Sequence, residues 1–519
     1  MSRLEEGLAE LARRGDLARR MGGAEQVARQ HEHGKLTARE RIGLLADEGS
    51  FREFGMLAGS GGYAGGGLVS FTPKGEVTGF ACVDGRQVVV AAGDFTVRGG
   101  AATRGSGGGL GQELSAARRA LEWRVPYVRL LDASGGSVSS FADIGRTYLP
   151  DGNVWSTYDA QLLQTVPVVS AVLGSVAGLP AVNACMAHFN VMVRGTSQLF
   201  PGGPPVVKAA LGLEVGKEDL GGAAVHAEGS GVVDNVAESE EEALRQVRAF
   251  LSYLPLSVSE LAPAGPAREP ELSPVSLRDV VPENRRQPFD VFAIVRGVLD
   301  GGSFFEIAPR YGRARVTGLG RVNGYPVAVM ANNPRHHGGA TDVAAGEKVM
   351  RLIQLCDNFH LPLISFADEP GFLVGPESER QGIERAGARL VWTTCQSRMP
   401  WLTVVVSRLF GVAGQCQHRP SGMFRRYAWP SARWGSMHIE GGVSAAYRRV
   451  IEAASDPAAK QAEIEAELQA IASPFRTAEA TGQDIIDPAD TRDVLAEFVT
   501  DAQRVLATQT SQPGIPYRP

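Results

Sequence analysis

At 519 residues the chain is too long for one ordinary core of about 100–200 residues, so two or more domains are expected. Its 44% hydrophobic and 21% charged residues suit a soluble globular protein, and a net charge of −5 is too mild and too mixed to suggest a nucleic-acid or membrane surface. The five cysteines (Cys82, Cys185, Cys356, Cys395, Cys416) stand far apart with no CxxC pair, which argues against a zinc ribbon and leaves a disulfide framework unsupported. No run approaches the roughly 18 apolar residues of a membrane span. The opening "MSRLEEGLAELARR" carries no signal-type apolar segment, so a reducing, cytoplasmic setting is expected.

The first forty residues, with "LEEGLAELARR" and "AEQVARQHEHGKLTARERIGLLAD", place apolar residues at helical spacing among alternating charges. "GSFREFG" breaks that pattern. From Gly75 short β-branched runs alternate with helical ones: "RQVVVAAGDF" reads as a strand and "GQELSAARRALEW" as a helix. "VPYVRLLDASGG" reads as a strand ending in a turn, and "VPVVSAVLGSVAG" as another strand. "GGPPVVKAALG" places two prolines at a helix start, with Lys208 in reach of a phosphate as a further reading. The proline-rich "LAPAGPAREPELSP" is the expected linker, 261–274, between domains at 1–260 and 275–519. "SERQGIERAGARL" (Ser378–Leu390) reads as one helix with a solvated charged face. Strands alternating with helices imply an α/β fold with functional loops at strand ends.

The second half repeats the first. Val77-Thr78-Gly79 answers to Val316-Thr317-Gly318, and Gly99-Gly100-Ala101 to Gly338-Gly339-Ala340, both at an offset of 239. Pro126, Asp132 and Gly135 answer to Pro362, Asp368 and Gly371 at 236, and "GSVAG" (Gly174–Gly178) matches "FGVAG" (Phe410–Gly414) at 236 again. One short indel reconciles the offsets, so the chain is expected to be a tandem duplication of one α/β domain.

The chemistry-bearing motifs are turns. "LLDASGG" follows a strand with glycines that let backbone N–H groups face a ligand. "VLGSVAGLPAV" and "VVVSRLFGVAGQCQ" run an apolar strand into small residues, a turn that can aim successive N–H groups at a developing oxyanion. Taken singly, each is more simply an ordinary strand-to-helix turn. Their recurrence in the same order in both halves points to two equivalent backbone pockets. His336-His337 aligns with a stretch lacking histidine, which favours a loop role over a general base. No Walker loop, HExxH, GxSxG or metal-ligand cluster occurs, so acid–base hardware is scarce.

"HEHGKLTARERIGLLADEGSF", "DFTVRGG", "QLFPGGPPVVKAALGLEVGKEDLGGAAVH" and "PGFLVGPESERQGIERAGARLV" together resemble the carboxyltransferase (β) subunits of biotin-dependent acyl-CoA carboxylases, over about His31 to Tyr447. The paired prolines look more like the 3-methylcrotonyl-CoA or geranyl-CoA branch than the propionyl-CoA branch. The resemblance implies two crotonase-like ββα superhelix domains, the first handling a coenzyme A thioester and the second biotin. It also implies a homohexamer, a dimer of trimers, with each active site shared between the N-terminal domain of one subunit and the C-terminal domain of another.

Carried over by position, the catalytic backbone groups are Gly178 and Leu179 for the thioester and Val412 and Ala413 for biotin. Gly99, Gly100, Gly135, Gly136 and Lys208 fall on the substrate side, and Gly338, Gly339, Gly371, Phe372 and Gly411 on the biotin side; no metal is implied. Leu179 stands where the family usually has glycine. No Met precedes any Lys, so biotin is expected on a partner biotin carboxylase or biotin carrier (alpha) chain. The alternatives are a biotin-dependent acyl-CoA decarboxylase subunit, or a catalytically silent scaffold that binds CoA esters.

Overall fold

The computed structural model describes residues 2–100, 115–135, 145–147, 153–284, 287–417, 422–510 and 514–519. Contacts divide the chain into two compact units, Met1–Val258 with Pro519, and Ser259–Arg518. The 261–274 segment, expected as a linker, packs within the second unit. Gly265 N–H donates to Gly324 O at 2.8 Å and Leu272 N–H to Arg296 O at 3.2 Å.

In the first unit the strands are β1 (Arg52–Glu53), β2 (Gly59–Ala64), β3 (Gly67–Pro73), β4 (Glu76–Val83), β5 (Arg86–Gly93), β6 (Tyr127–Ala133), β7 (Val168–Ala177), β8 (Phe189–Val193), β9 (Gln198–Phe200) and β10 (Asn235–Ala237). β2 and β3 form a separate hairpin; the others make one sheet in the order β1-β4-β5-β6-β7-β8-β10, with β9 on β7. In the second unit they are β11 (Phe305–Glu306), β12 (Arg315–Val322), β13 (Tyr325–Asn332), β14 (Leu363–Glu369), β15 (Trp401–Phe410), β16 (Phe424–Ala428), β17 (Arg433–Gly435) and β18 (Asp484–Ile485). Their order is β11-β12-β13-β14-β15-β16-β18, with β17 on β15, the same path. The central strands are nearly continuous apolar runs, as parallel strands covered on both faces must be. In the second unit Val316, Val329, Phe366, Leu402 and Val404 form one core cluster with the helices Val291–Val298 and Thr491–Ala507.

The duplication extends to turn chemistry. The β4–β5 turn puts Asp84 and Gly85 at φ 51° and 75°, and the β12–β13 turn puts Asn323 and Gly324 at 50° and 80°. These values suit the right-handed twist of a two-residue hairpin. An upstream carboxylate fixes each turn: Asp47 accepts the N–H groups of Asp84 and Gly85 at 3.0 and 2.7 Å, and Asp300 those of Asn323 and Gly324 at 3.1 and 2.7 Å.

Strand pairing confirms two offsets and corrects the third. Glu76–Val83 corresponds to Arg315–Val322 at 239, and Tyr127–Ala133 to Leu363–Glu369 at 236. β7 corresponds to β15 at 233, Val168 to Trp401, because the connection before it is three residues shorter. The ladders agree: Ala133 pairs with Val176 as Glu369 pairs with Leu409, and Ser175 with Gln198 as Arg408 with Arg433. The "GSVAG" and "FGVAG" strings therefore occupy different places. A second correction concerns Ser378–Leu390, expected as one helix. It is split into Pro376–Arg380 and Ile383–Gln396, since Gly382 sits at φ 81°.

Among the described residues no helix is long and apolar enough to cross a membrane, and no group of three His, Cys, Asp or Glu could hold a metal.

Candidate active site

Each unit ends its longest strand on a glycine that turns the chain into a helix. β7 stops at Ala177, Gly178 adopts φ 68° and ψ −137°, and a helix runs Leu179–Cys185. β15 stops at Phe410, Gly411 adopts φ 62°, and a helix runs Gly411–Gln415. Only glycine takes such a φ without strain. At the structural offset Gly178 answers to Gly411, Leu179 to Val412 and Pro180 to Ala413.

The first N–H groups of a helix have no partner within it, so they can serve a ligand. Gly178 N–H, expected as one donor of the first pocket, instead donates to Phe200 O at 3.2 Å. Pro180 has no N–H. Leu179 N–H has no partner among the described residues, so it is the donor the first turn offers. In the second turn both Val412 and Ala413 N–H groups lack partners among the described residues. The Leu179 and Val412 side chains are 49% and 52% exposed, whereas Ala413 is buried. Cys416 is the nearby thiol; burial pushes its pKa up to about 12, which keeps it from acting as a nucleophile near neutral pH.

Several expected ligand contacts have structural duties. Gly99 O accepts Ser134 N–H at 2.9 Å, and a Cβ on Gly100 would come within 2.6 Å of Asp132 O. A Cβ on Gly135 would come within 2.6 Å of Ala177 O, so these glycines bring three chain segments together beside the β7 end. Gly136 lies outside the described residues. Gly371 uses its N–H on Glu369 Oε1 at 3.1 Å and its carbonyl on Thr341 N–H at 3.1 Å. Its backbone is therefore committed to the fold rather than open to biotin. Phe372 bridges to Thr341, and its ring lies so close to Gly387 that a Cβ there would be 2.9 Å away. Lys208 is exposed and pairs with Glu214 at 2.5 Å.

Gly338 lines a cavity of about 580 Å³ in the second unit, with Pro334, Asp368, Arg408, Ser431 and Arg433 also on its wall. Buried Gly339 donates its N–H to His336 O at 2.8 Å, and its carbonyl accepts Asn332 Nδ2 at 2.9 Å. His337 sits in this turn at φ 48° with Nδ1 3.1 Å from Asp342 Oδ2, in keeping with a loop role.

A charged scaffold under both pockets was not anticipated. Asp132, fully buried, receives Gln30 Nε2 at 3.0 Å, Lys35 Nζ at 2.9 Å and Arg41 Nη1 at 3.2 Å. Arg41, also fully buried, grips Glu240 with two bonds of 2.7 Å and donates to Leu173 O at 2.8 Å. The string "HEHGKLTARERIGLLADEGSF" is thus a clamp on the first sheet: Lys35 and Arg41 hold Asp132, Thr37 and Glu40 form a capping box, and Asp47 fixes the hairpin turn. Arg41 falls beside Ile42 and Leu45 on an apolar helical face, and a charge there needs a buried partner; that signal was legible. In the second unit Asp368 is held differently, by Arg408 from the adjacent strand, with Nε–Oδ1 at 2.6 Å and Nη2–Oδ2 at 2.8 Å. Arg408 Nη2 also donates to Gly338 O at 2.7 Å, joining that turn to the strand that leads to Gly411.

Two copies of one sheet each end their longest strand in a glycine that turns the chain into a helix, and backbone N–H groups at each helix start have no partner among the described residues. The Carboxyl transferase domain family matches residues 29–510, and the chain belongs to that family. It is 36% identical over 527 residues to the propionyl-CoA carboxylase carboxyltransferase subunit of Haloferax mediterranei, covering 98% of each chain. It is 32% identical to methylmalonyl-CoA decarboxylase subunit alpha of Veillonella parvula, covering 91% of each. Among solved structures it is similar to a transcarboxylase 12S hexamer crystallised with methylmalonyl-coenzyme A, at TM-score 0.85 and 30% identity, covering 97% of this chain and 96% of that one. Both units are accordingly crotonase-like, and the chain is a carboxyltransferase that moves a carboxyl group between biotin and an acyl-CoA thioester.

Proposed function

We propose that this chain carboxylates a short acyl-CoA of the propionyl-CoA class, with Leu179 N–H polarising the thioester oxygen and the Val412 and Ala413 N–H groups polarising the ureido oxygen of biotin. The observation that carries this reading is the set of three backbone donors at the two strand ends, without partners among the described residues. Bound biotin supplies the carboxyl carrier and, through its ureido nitrogen, a proton acceptor. The protein then needs to stabilise charge on two oxygens, and backbone donors already fixed at helix starts do so without reorganising. Gly99, Gly100 and Gly135 shape the acyl-CoA side, and Gly338, Gly339 and Gly411 the biotin side. Gly371 acts there by holding the loop, while Phe372, whose own N–H has no partner among the described residues, borders the biotin side.

Biotin comes on a separate carrier chain in this reading, and the active site is completed in a homohexamer by the second unit of another subunit. Similarity to a hexameric transcarboxylase 12S core supports the assembly. Similarity to the propionyl-CoA carboxylase carboxyltransferase subunit of Haloferax mediterranei over 98% of each chain supports the carboxylating direction.

The test is to incubate purified protein with biocytin and a panel of malonyl-, methylmalonyl-, 3-methylglutaconyl- and glutaconyl-CoA, following each by mass spectrometry. Methylmalonyl-CoA is expected to lose its carboxyl group only when biocytin is present. Loss from none of the four, with CoA esters still bound, would favour the silent scaffold. Turnover of ATP and bicarbonate by the chain alone would contradict the need for a partner.

A further inference from the structure

Behind the second pocket lies a charged network that has no counterpart at the equivalent first-unit positions. Arg315, on β12, is 1% exposed and Glu369, closing β14, is 0% exposed. Glu369 Oε2 accepts Arg315 Nη2 at 2.5 Å, Thr341 Oγ1 at 2.7 Å, Asn332 Nδ2 at 3.0 Å and Gln417 Nε2 at 3.2 Å. Its other oxygen, Oε1, accepts Gly371 N–H at 3.1 Å. The strand registers put Ala133, Glu76 and Gly93 at the positions of Glu369, Arg315 and Asn332. Glu76 is partly exposed and pairs with Lys74 at 2.7 Å.

Stability alone is a poor reason for this arrangement. A buried ion pair carries a desolvation cost that apolar side chains of similar volume avoid. Arg315 Nη1 is also buried with no hydrogen-bond partner among the described residues, a further cost. What the network does is tie together the two segments that border the second pocket. On one side is the Gly371–Phe372 loop, stitched to Thr341 by Thr341 N–H to Gly371 O at 3.1 Å and Leu373 N–H to Thr341 O at 2.9 Å. On the other is Gln417, two residues past the helix that carries Val412 and Ala413. Gln417 is locked in turn: its Oε1 accepts Ser365 Oγ at 2.7 Å, and its carbonyl accepts Thr403 Oγ1.

We propose that Glu369, paired with Arg315, is a positioning residue of the biotin-side pocket, fixing the Gly371–Phe372 loop against the Val412–Ala413 helix start. This rests on the reading of those two N–H groups as the biotin-side donors. Among the described residues the first pocket, with Ala133 at the equivalent place, shows no such brace.

The test uses full-length protein and two variants, Glu369→Gln and the double variant Arg315→Met with Glu369→Leu, which replaces the pair by apolar groups. Melting temperature, methylmalonyl-CoA binding by calorimetry, and KM and kcat for biocytin in methylmalonyl-CoA decarboxylation are measured for each. The double variant takes Glu369 away from Thr341, Asn332, Gln417 and the Gly371 N–H, so it is expected to melt below wild type, yet to bind methylmalonyl-CoA as wild type does. Its kcat/KM for biocytin should fall by roughly 10- to 100-fold, the scale on which a misplacement of about 1 Å acts. Glu369→Gln, which keeps an oxygen for Gly371, should fall less. Wild-type biocytin kinetics in the double variant would overturn the proposal, as would an equal loss of methylmalonyl-CoA binding. Wild-type protein with no biocytin-dependent turnover would overturn the underlying reading of the pocket instead.

Discussion

Ala413→Pro is expected to lower biocytin-dependent turnover by about 10²–10³-fold, the usual effect of losing one oxyanion-hole donor, while leaving acyl-CoA binding unchanged. The chain carries a precedent for the substitution: Pro180, in the first turn of its helix, occupies the equivalent position of the first unit. Ala413 N–H has no partner among the described residues, so proline removes a donor there without breaking a hydrogen bond among them. Ala413→Ser, which keeps the N–H at this buried site, should retain most activity. Comparing kcat at saturating biocytin with calorimetric affinity for methylmalonyl-CoA separates the two effects. A uniform loss of both would point to damage of the fold.

Arg41→Met is expected to destabilise the first unit by about 3–5 kcal/mol, because it leaves carboxylates buried without their guanidinium. Glu240 would lose both of its 2.7 Å bonds from Arg41, and Asp132 would keep Lys35 and Gln30. The measurement is the unfolding free energy in urea of wild type and variant. Arg41→Lys should recover only part, since an ammonium cannot make the bidentate grip. A shift worth under about 1 kcal/mol, the range of exposed pairs, would show that the cluster is solvated rather than buried.

Most of the architecture was legible because duplication leaves its mark in residues with few conformational options. The glycines at 99 and 100 recur at 338 and 339, and the aspartates at 132 and 368 keep the same strand position. The mismatch at β7 and β15 arose because a five-residue string of small side chains recurs easily, whereas register is set by pairing across the sheet. Loss of Gly178 as a donor was hidden for a similar reason: its N–H is taken by Phe200 O, on a different strand. Pro180 could have been read directly, since proline carries no N–H. The Arg315–Glu369 pair joins residues 54 apart, and Arg41–Asp132 joins residues 91 apart. No local pattern reports such long-range partners. Only the improbable placement of a charge on an apolar face does.

In the proposed function, backbone N–H groups rather than side chains polarise the reacting oxygens. Gly178→Pro cannot test it, because Gly178 sits at φ 68° and proline requires about −65°. Leu179→Pro can: Leu179 opens its helix, where proline is favoured, and its N–H has no partner among the described residues. The measurement is biocytin-dependent carboxyl loss from methylmalonyl-CoA by wild type and Leu179→Pro, each with its methylmalonyl-CoA affinity. The predicted result is near-wild-type affinity with kcat lower by about 10²–10³-fold. Wild-type turnover in Leu179→Pro would contradict the account.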